Sequence, residues 1–237
     1  MIKAITFDCW DTILNDDVTR TEERKKFFQQ VFKENGFPLD DNEFNILFKE
    51  EGRIFQDYII DNRKTPNSTM RVDTIVSLAD VQIPNSEKNK IAQYSDNIAL
   101  QFRPPLVPLI TEVLEQLSSK YTLAVICNTG WHSGNIVRQL LEGYDLPRYF
   151  SHLTFSDEAG IAKPHKQIFE YTLEKIGFDA RDSVHIGDSE YSDIVGAKEA
   201  GMKAILFTEV NDKYRDNNTA DIVVNDYDNF AEVVDKL

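Results

Sequence analysis

From residue 106 onward the sequence alternates between helical and strand patterns, and this alternation restricts the fold more than any other feature. Apolar residues at helical spacing over 109–117 precede a strand-like run at 122–127. Helix 133–141 then leads to strand 153–155, helix 166–176 to strand 183–186, and helix 192–200 to strand 204–207. A last strand, 222–224, precedes a closing helix from Asp228, and Ile5-Thr6-Phe7 at the N-terminus adds one more strand. Strands separated by helices of this length predict an α/β fold, a parallel sheet with helices on both faces. Right-handed crossovers bring the carboxyl ends of its strands to one edge.

Residues 15–105 break the rhythm with about four successive helices. Thr19 with Glu22 predicts a capping box, ahead of Phe27, Phe28, Val31 and Phe32 on one face and an Asn35-Gly36 stop. A second helix carries Phe44, Leu47, Phe48, Phe55, Tyr58 and Ile59. After Thr65-Pro66-Asn67, a third carries Met70, Ile75, Val76 and Leu78. A fourth spans 86–102 and is closed by Pro104-Pro105. The aromatic faces suit a helical-bundle core, and a few of them could instead face a ligand. The predicted organisation is a core domain of residues 1–14 and 106–237, with an α-helical cap of residues 15–105 inserted after the first strand.

The chain has 237 residues, 41% of them hydrophobic, enough for one good core and a smaller lobe. Its 40 acidic and 26 basic residues give a net charge of −14, which argues against nucleic acid and anionic membranes as partners. Two cysteines make no disulfide framework. No signal peptide precedes the first strand, and no apolar run reaches the roughly 18 residues of a membrane span. A cytoplasmic location is the expectation.

Four polar stretches fall at or after predicted strand ends: Asp8 with Asp11-Thr12; Cys127-Asn128-Thr129-Gly130; Lys163 within Gly160-Ile161-Ala162-Lys163-Pro164; and Gly187-Asp188-Ser189-Glu190-Tyr191-Ser192-Asp193. Each alone reads equally as a turn, a helix cap or a solvated loop. Together they read as an oxygen-ligand cation site beside an anion site. Asp8, Asp188 and Asp193 on one edge would repel one another unless a cation lay between them, and all-oxygen ligands suit Mg²⁺. Lys163 and the Asn128 side chain could hold a phosphate. A carboxylate nucleophile, a cation and a fixed lysine make a phosphoryl-transfer site. His132, His152, His165 and His185 show no metal-ligand spacing and read as structural or solvent-facing.

The stretches FDCWDTIL, VICNTG, IAKPHKQIF and HIGDSEYSDIVGAKEAGM resemble the motifs of the haloacid dehalogenase superfamily, in the branch with a helical cap after the first strand. The resemblance implies a Rossmann-like core and a Mg²⁺-dependent hydrolase acting on a small phosphorylated substrate. It implies Asp8 as nucleophile and metal ligand, Asp188 and Asp193 completing the metal site, and Lys163 stabilising nucleophile and phosphate. The Trp10 backbone carbonyl would be a further metal ligand. Trp10, Thr12, Cys127, Asn128 and Thr129 join Lys163 as candidate substrate-binding residues.

Two positions depart from the pattern. The family's phosphatases carry a second aspartate, the general acid, where this chain has Trp10, and indole has no titrating proton near neutral pH. Cys127 stands where Ser or Thr normally meets the phosphate, and Thr129, two residues on, is the candidate to take its place. Asp11 is not expected to replace the missing acid, because neighbours on an extended chain point oppositely. Cys9 and Cys127 read as small buried residues, or as a thiol pair open to oxidation. The resulting expectation is a phosphatase working through Asp8. The alternatives are a 2-haloacid dehalogenase-type enzyme, whose family members also carry an aromatic at this position, and a metal- and phosphate-binding module acting through a partner.

Overall fold

The computed structural model describes residues 1–237 and divides them into two compact units. One comprises Met1–Asp16, Pro104–Asn128 and Leu141–Leu237; the other comprises Asp17–Arg103 and Thr129–Leu140.

The first unit is built on six parallel strands: β1 (Ala4–Phe7), β2 (Thr122–Cys127), β3 (His152–Phe155), β4 (Ser183–Gly187), β5 (Lys203–Phe207) and β6 (Ile222–Val224). Their order is β3-β2-β1-β4-β5-β6. Every residue of β1 is buried, as expected of a central parallel strand covered on both faces. β1 pairs with β2 on one side, Phe7 opposite Val125, and with β4 on the other, Phe7 opposite Ile186. The chain winds outward from β1 through β2 to β3, then returns to β1's other side and continues from β4 to β6. This reversal between β1 and β4 opens a crevice at their carboxyl ends, where such sheets bind ligands. Asp8 and Asp188 are the first residues beyond those two ends.

One helical expectation shifts. The predicted helix 192–200 begins earlier, as a π-helical turn over Glu190–Val195 that continues into an α-turn over Gly196–Glu199. Helix Lys166–Ile176 and the helices after β4 close one face of the sheet through Phe169, Leu173, Ile194 and Ala197. No helix is long and apolar enough to cross a membrane.

The second unit holds α1 (Thr19–Glu34), α2 (Asp41–Asn62), α3 (Ser68–Leu78) and α4 (Asn85–Gln101). Its core is Phe28, Phe32, Phe44, Val72, Ile75 and Ile91, all fully buried, with Trp131 packed against it. The segment Thr129–Leu140, predicted as part of the α/β rhythm, groups with these helices, and helix Gly134–Glu142 straddles the division. The Thr19–Glu22 capping box does not form. Thr19 is itself helical, so its hydroxyl is not at the cap position, and its N–H donates to Asp17 Oδ1 at 2.9 Å. The box occurs one helix later: Glu43 N–H donates to Asp40 Oδ1 at 2.9 Å and Asp40 N–H donates to Glu43 Oε2 at 2.7 Å. Asn35-Gly36 ends α1 as expected, with Gly36 at φ +88°.

His132 sits inside this unit, 2.8 Å from the Asp96 carbonyl and 3.3 Å from Arg24 Nη2. Burial and the neighbouring Arg24 push its imidazolium down to about 3. The unfolded chain therefore binds a proton, near an ordinary histidine pKa of about 6.5, that the folded unit does not. Stability conferred by neutral His132 is complete above about 6.5 and falls as pH drops toward about 3. Urea unfolding should show this loss, with a limiting slope of about 1.4 kcal/mol per pH unit from this one group. His132→Gln should flatten the slope in that window; an unaltered profile would refute the assignment.

Candidate active site

Asp8 is fixed as β1 ends: its N–H donates to the Ile186 carbonyl at 2.8 Å, extending the β1–β4 ladder. The chain then leaves the sheet in a wide turn, with the N–H groups of Ile13 and Leu14 both donating to the Cys9 carbonyl at 2.9 Å. This turn folds Thr12 back toward Asp8, and its Oγ1 lies 3.5 Å from Asp8 Oδ2. The Thr12 carbonyl accepts from Tyr227 O–H at 2.9 Å, tying the turn to the C-terminal part of the unit. Trp10 is half-buried at the start of the turn.

The turn overturns the premise used for Asp11. That residue is not in extended chain but at φ +57°, a left-handed conformation that aspartate tolerates better than most residues. Its Oδ1 accepts the Asp16 N–H at 2.9 Å. This capping interaction, not strand alternation, fixes its direction.

Lys163 comes to Asp8 from the loop preceding helix Lys166–Ile176. It is 1% exposed, and its Nζ donates to Asp8 Oδ1 at 2.5 Å and to Asp193 Oδ1 at 2.6 Å. Asn128, one residue past β2, holds the Lys163 main chain from both sides. Its Nδ2 donates to the Lys163 carbonyl at 2.9 Å, and its Oδ1 accepts the Lys163 N–H at 2.9 Å. The Asn128 amide therefore works as a clamp on the lysine, and its oxygen is not turned toward a ligand. Cys127 is fully buried, and its Sγ lies 3.6 Å from the Asn128 carbonyl. A hydrogen bond with Cys9, together with burial, pushes its thiol up, so Cys127 stays protonated and poorly reactive. Thr129 belongs to the other unit, where its hydroxyl lies 3.3 Å from that of Thr65.

Beyond β4, Gly187-Asp188-Ser189 leads into the π turn. The N–H groups of Asp193 and Ile194 both donate to the Ser189 carbonyl, at 2.9 and 3.2 Å, and the Ser189 N–H donates to Asp193 Oδ2 at 3.0 Å. The widened turn lays the Asp193 carboxylate over Gly187, where a Cβ would lie 2.4 Å from Asp193 Cγ. Only glycine fits there. His185, two residues earlier on the same face of β4, lies with Nε2 3.2 Å from Asp193 Oδ1 and Nδ1 2.8 Å from Thr6 Oγ1 of β1. Burial pushes its imidazolium down and keeps the ring neutral. The Thr6 hydroxyl then donates to Nδ1, and Nε2–H donates to Asp193.

Asp8, Asp188 and Asp193 offer carboxylate oxygens that all lie within 4.8 Å of one another. Burial and the neighbouring Asp193 push Asp8 up to about 7, against the pull of Lys163. Burial, Asp193 and Asp8 push Asp188 well above the carboxylate range. For Asp193, burial is outweighed by Lys163 and His185, which hold it at about 2. Three carboxylates around one ammonium leave uncompensated negative charge, which a divalent cation would neutralise. The donor set is all oxygen, as hard cations require, so the residues present fit such an ion. Lys163 Nζ has three hydrogens and uses two on carboxylates, leaving one for a substrate oxygen.

Sequence reasoning passed over three supporting residues. His185 was legible in principle, since strand alternation places it on the Gly187 face. Ser189 had its signal in the Ser-x-x-x-Asp spacing. Asn211, which donates from Nδ2 to Asp188 Oδ2 at 2.6 Å, lies in a polar loop with no periodicity to mark it.

Residues 2–201 match the family model of haloacid dehalogenase-like hydrolases. The glyceraldehyde 3-phosphate phosphatase of Pyrococcus abyssi is 30% identical over 218 residues, spanning 87% of this chain and 82% of that protein. The Methanothermobacter thermautotrophicus protein of the same name is 29% identical, over 99% of this chain and 100% of its own length. Among solved structures, a 2-haloacid dehalogenase from Pseudomonas syringae superposes with a TM-score of 0.72 at 22% identity, covering 100% of this chain and 99% of that one. A phosphatase of the same superfamily from Thermococcus onnurineus gives 0.65 at 22% identity, covering 98% of each chain. At these identities the structural likeness is one of fold. The chain belongs to the haloacid dehalogenase-like hydrolases.

Proposed function

We propose that this hydrolase is a Mg²⁺-dependent phosphatase of a small phosphorylated metabolite, working through a phosphoryl group carried on Asp8. The observation that carries this reading is the convergence of Asp8, Asp188 and Asp193 around the Lys163 ammonium. Displacement of halide by a carboxylate needs no cation, whereas three clustered carboxylates invite one. The names of the phosphatase relatives agree, and place triose phosphates among the first substrates to try.

Asp8, Asp188 and Asp193 would hold the ion, with the Trp10 carbonyl as a further oxygen. Bound there, Mg²⁺ would offset the charge of the phosphoryl oxygens and keep Asp8 ionised. Asp8 contributes the oxygen that bonds to phosphorus. As that bond forms, the bond from phosphorus to the leaving oxygen breaks, and its electron pair departs with that oxygen. Water then attacks the phosphoryl group, the bond to Asp8 breaks, and carboxylate and inorganic phosphate are released. Lys163 holds the nucleophilic carboxylate in place and offers its remaining N–H to a phosphoryl oxygen. Thr12 steadies Asp8 from the opposite side.

No side chain of the Cys9–Thr12 turn delivers a proton to the leaving oxygen at the position of Trp10. Departure therefore depends on the leaving group's own stability or on solvent. Acyl and aryl phosphates should turn over faster than alkyl phosphates, by a margin on the order of the 10²–10⁴ attributed to a general acid.

Two measurements test this reading. Phosphate release from p-nitrophenyl phosphate should require added Mg²⁺, stop with chelator, and vanish in Asp8→Asn. Metal-independent halide release from 2-haloacids would overturn it in favour of dehalogenation. Separately, Trp10→Asp should raise kcat on an alkyl phosphate by roughly 10² while changing the aryl rate far less. Equal effects on both would show that leaving-group protonation does not limit the native enzyme.

A further inference from the structure

The loop 209–221, between β5 and β6, is fastened to the segment that carries the candidate metal ligands. Near its start, Asn211 Nδ2 donates to Asp188 Oδ2 at 2.6 Å. The amide's orientation is fixed independently, because the Lys213 N–H, a donor only, lies 3.3 Å from Asn211 Oδ1. Near the loop's end, Thr219 binds the carboxylate of Glu190, two residues beyond Asp188. Its N–H and hydroxyl donate to Oε1 at 3.0 and 2.8 Å. Lys198 Nζ donates to the Thr219 carbonyl at 2.6 Å. Between these anchors, Tyr214 packs on the apolar cluster that contains Ile194 and Ala197.

Asp188 needs such support more than its companions. Asp193 is fully enclosed by Lys163, His185 and the Ser189 N–H, and Asp8 is held by Lys163 and Thr12. Asp188 is half-buried beside two like charges, which drive it toward solvent. A cationic partner would hold it but would also compete with a bound ion for the same oxygens. A neutral amide holds Oδ2 without adding positive charge and leaves Oδ1 to ligate.

We propose that Asn211 is a positioning residue of the metal site, and that the loop 209–221 is the strap that presents its amide to Asp188. The inference rests on the reading of Asp8, Asp188 and Asp193 as a divalent-cation site. Hydrogen bonds to ligating carboxylates typically govern 10- to 100-fold in metal affinity. Asn211→Ala in the full chain should accordingly weaken Mg²⁺ binding, measured by titration calorimetry without substrate, by about ten-fold. Its metal-free melting temperature should stay at the wild-type value. Asn211→Gln, which keeps an amide donor, should recover part of the affinity. Activity at saturating Mg²⁺ should return toward wild type, placing the defect in metal uptake.

Wild-type affinity in Asn211→Ala overturns the inference and leaves the metal site standing. A lowered metal-free melting temperature with no recovery in Asn211→Gln also overturns it, as damage to the loop as a whole. Absence of Mg²⁺ binding by the wild-type chain overturns the metal reading beneath it.

Discussion

The site depends on one buried ammonium. Lys163 stands between Asp8 and Asp193 with almost no exposure to water, within 2.6 Å of both carboxylates. Desolvating three charges is tolerable only because their attraction is strong at low dielectric and their geometry is fixed. The surrounding framework supplies that geometry. Asn128 grips the Lys163 main chain from β2, His185 braces Asp193 from β4, and the ladder between β1 and β4 sets Asp8. Removing the ammonium would leave two carboxylates facing each other across a dry interior, a loss on the order of 3–5 kcal/mol.

The carboxylate cluster and the residue at position 10 are set by different parts of the backbone. The carboxylates belong to strand ends and to the π turn, which are fixed by sheet register and by the Gly187 contact. Trp10 belongs to the turn that follows, which is closed by the Ile13 and Leu14 N–H groups on the Cys9 carbonyl and by the Asp16 N–H on the Asp11 carboxylate. The three carboxylates and position 10 thus lie on separate stretches of chain.

Much of this was legible in the sequence, for identifiable reasons. Buried parallel strands are short apolar runs bounded by polar residues, so β2 and β6 could be placed at their ends, and the four polar stretches followed from strand termini. What escaped depended on backbone geometry that composition does not record. Asp11 was misread because a strand was assumed to continue where a left-handed residue begins a turn. Thr19 was misread because Asp17, two residues earlier, supplies the acceptor. Asn128 has the right chemistry for an anion but is occupied by the main chain of a residue 35 positions away. Asn211 owes its importance wholly to tertiary placement.

The sheet order has a consequence for synthesis. β1 is made first yet lies at the centre, and its β4 partner is 179 residues distant, as the Thr6–His185 contact records. Until β4 and residue 193 have been made, β1 has an empty flank and Lys163 lacks one of its two carboxylates. The emerging N-terminal half thus carries an apolar strand with an unpaired edge, open to mispairing with other chains. Pairing over so long a separation carries a larger loop-closure cost than the local contacts of the helices. The Asp8–Lys163–Asp193 cluster is thereby completed only once residue 193 has been made.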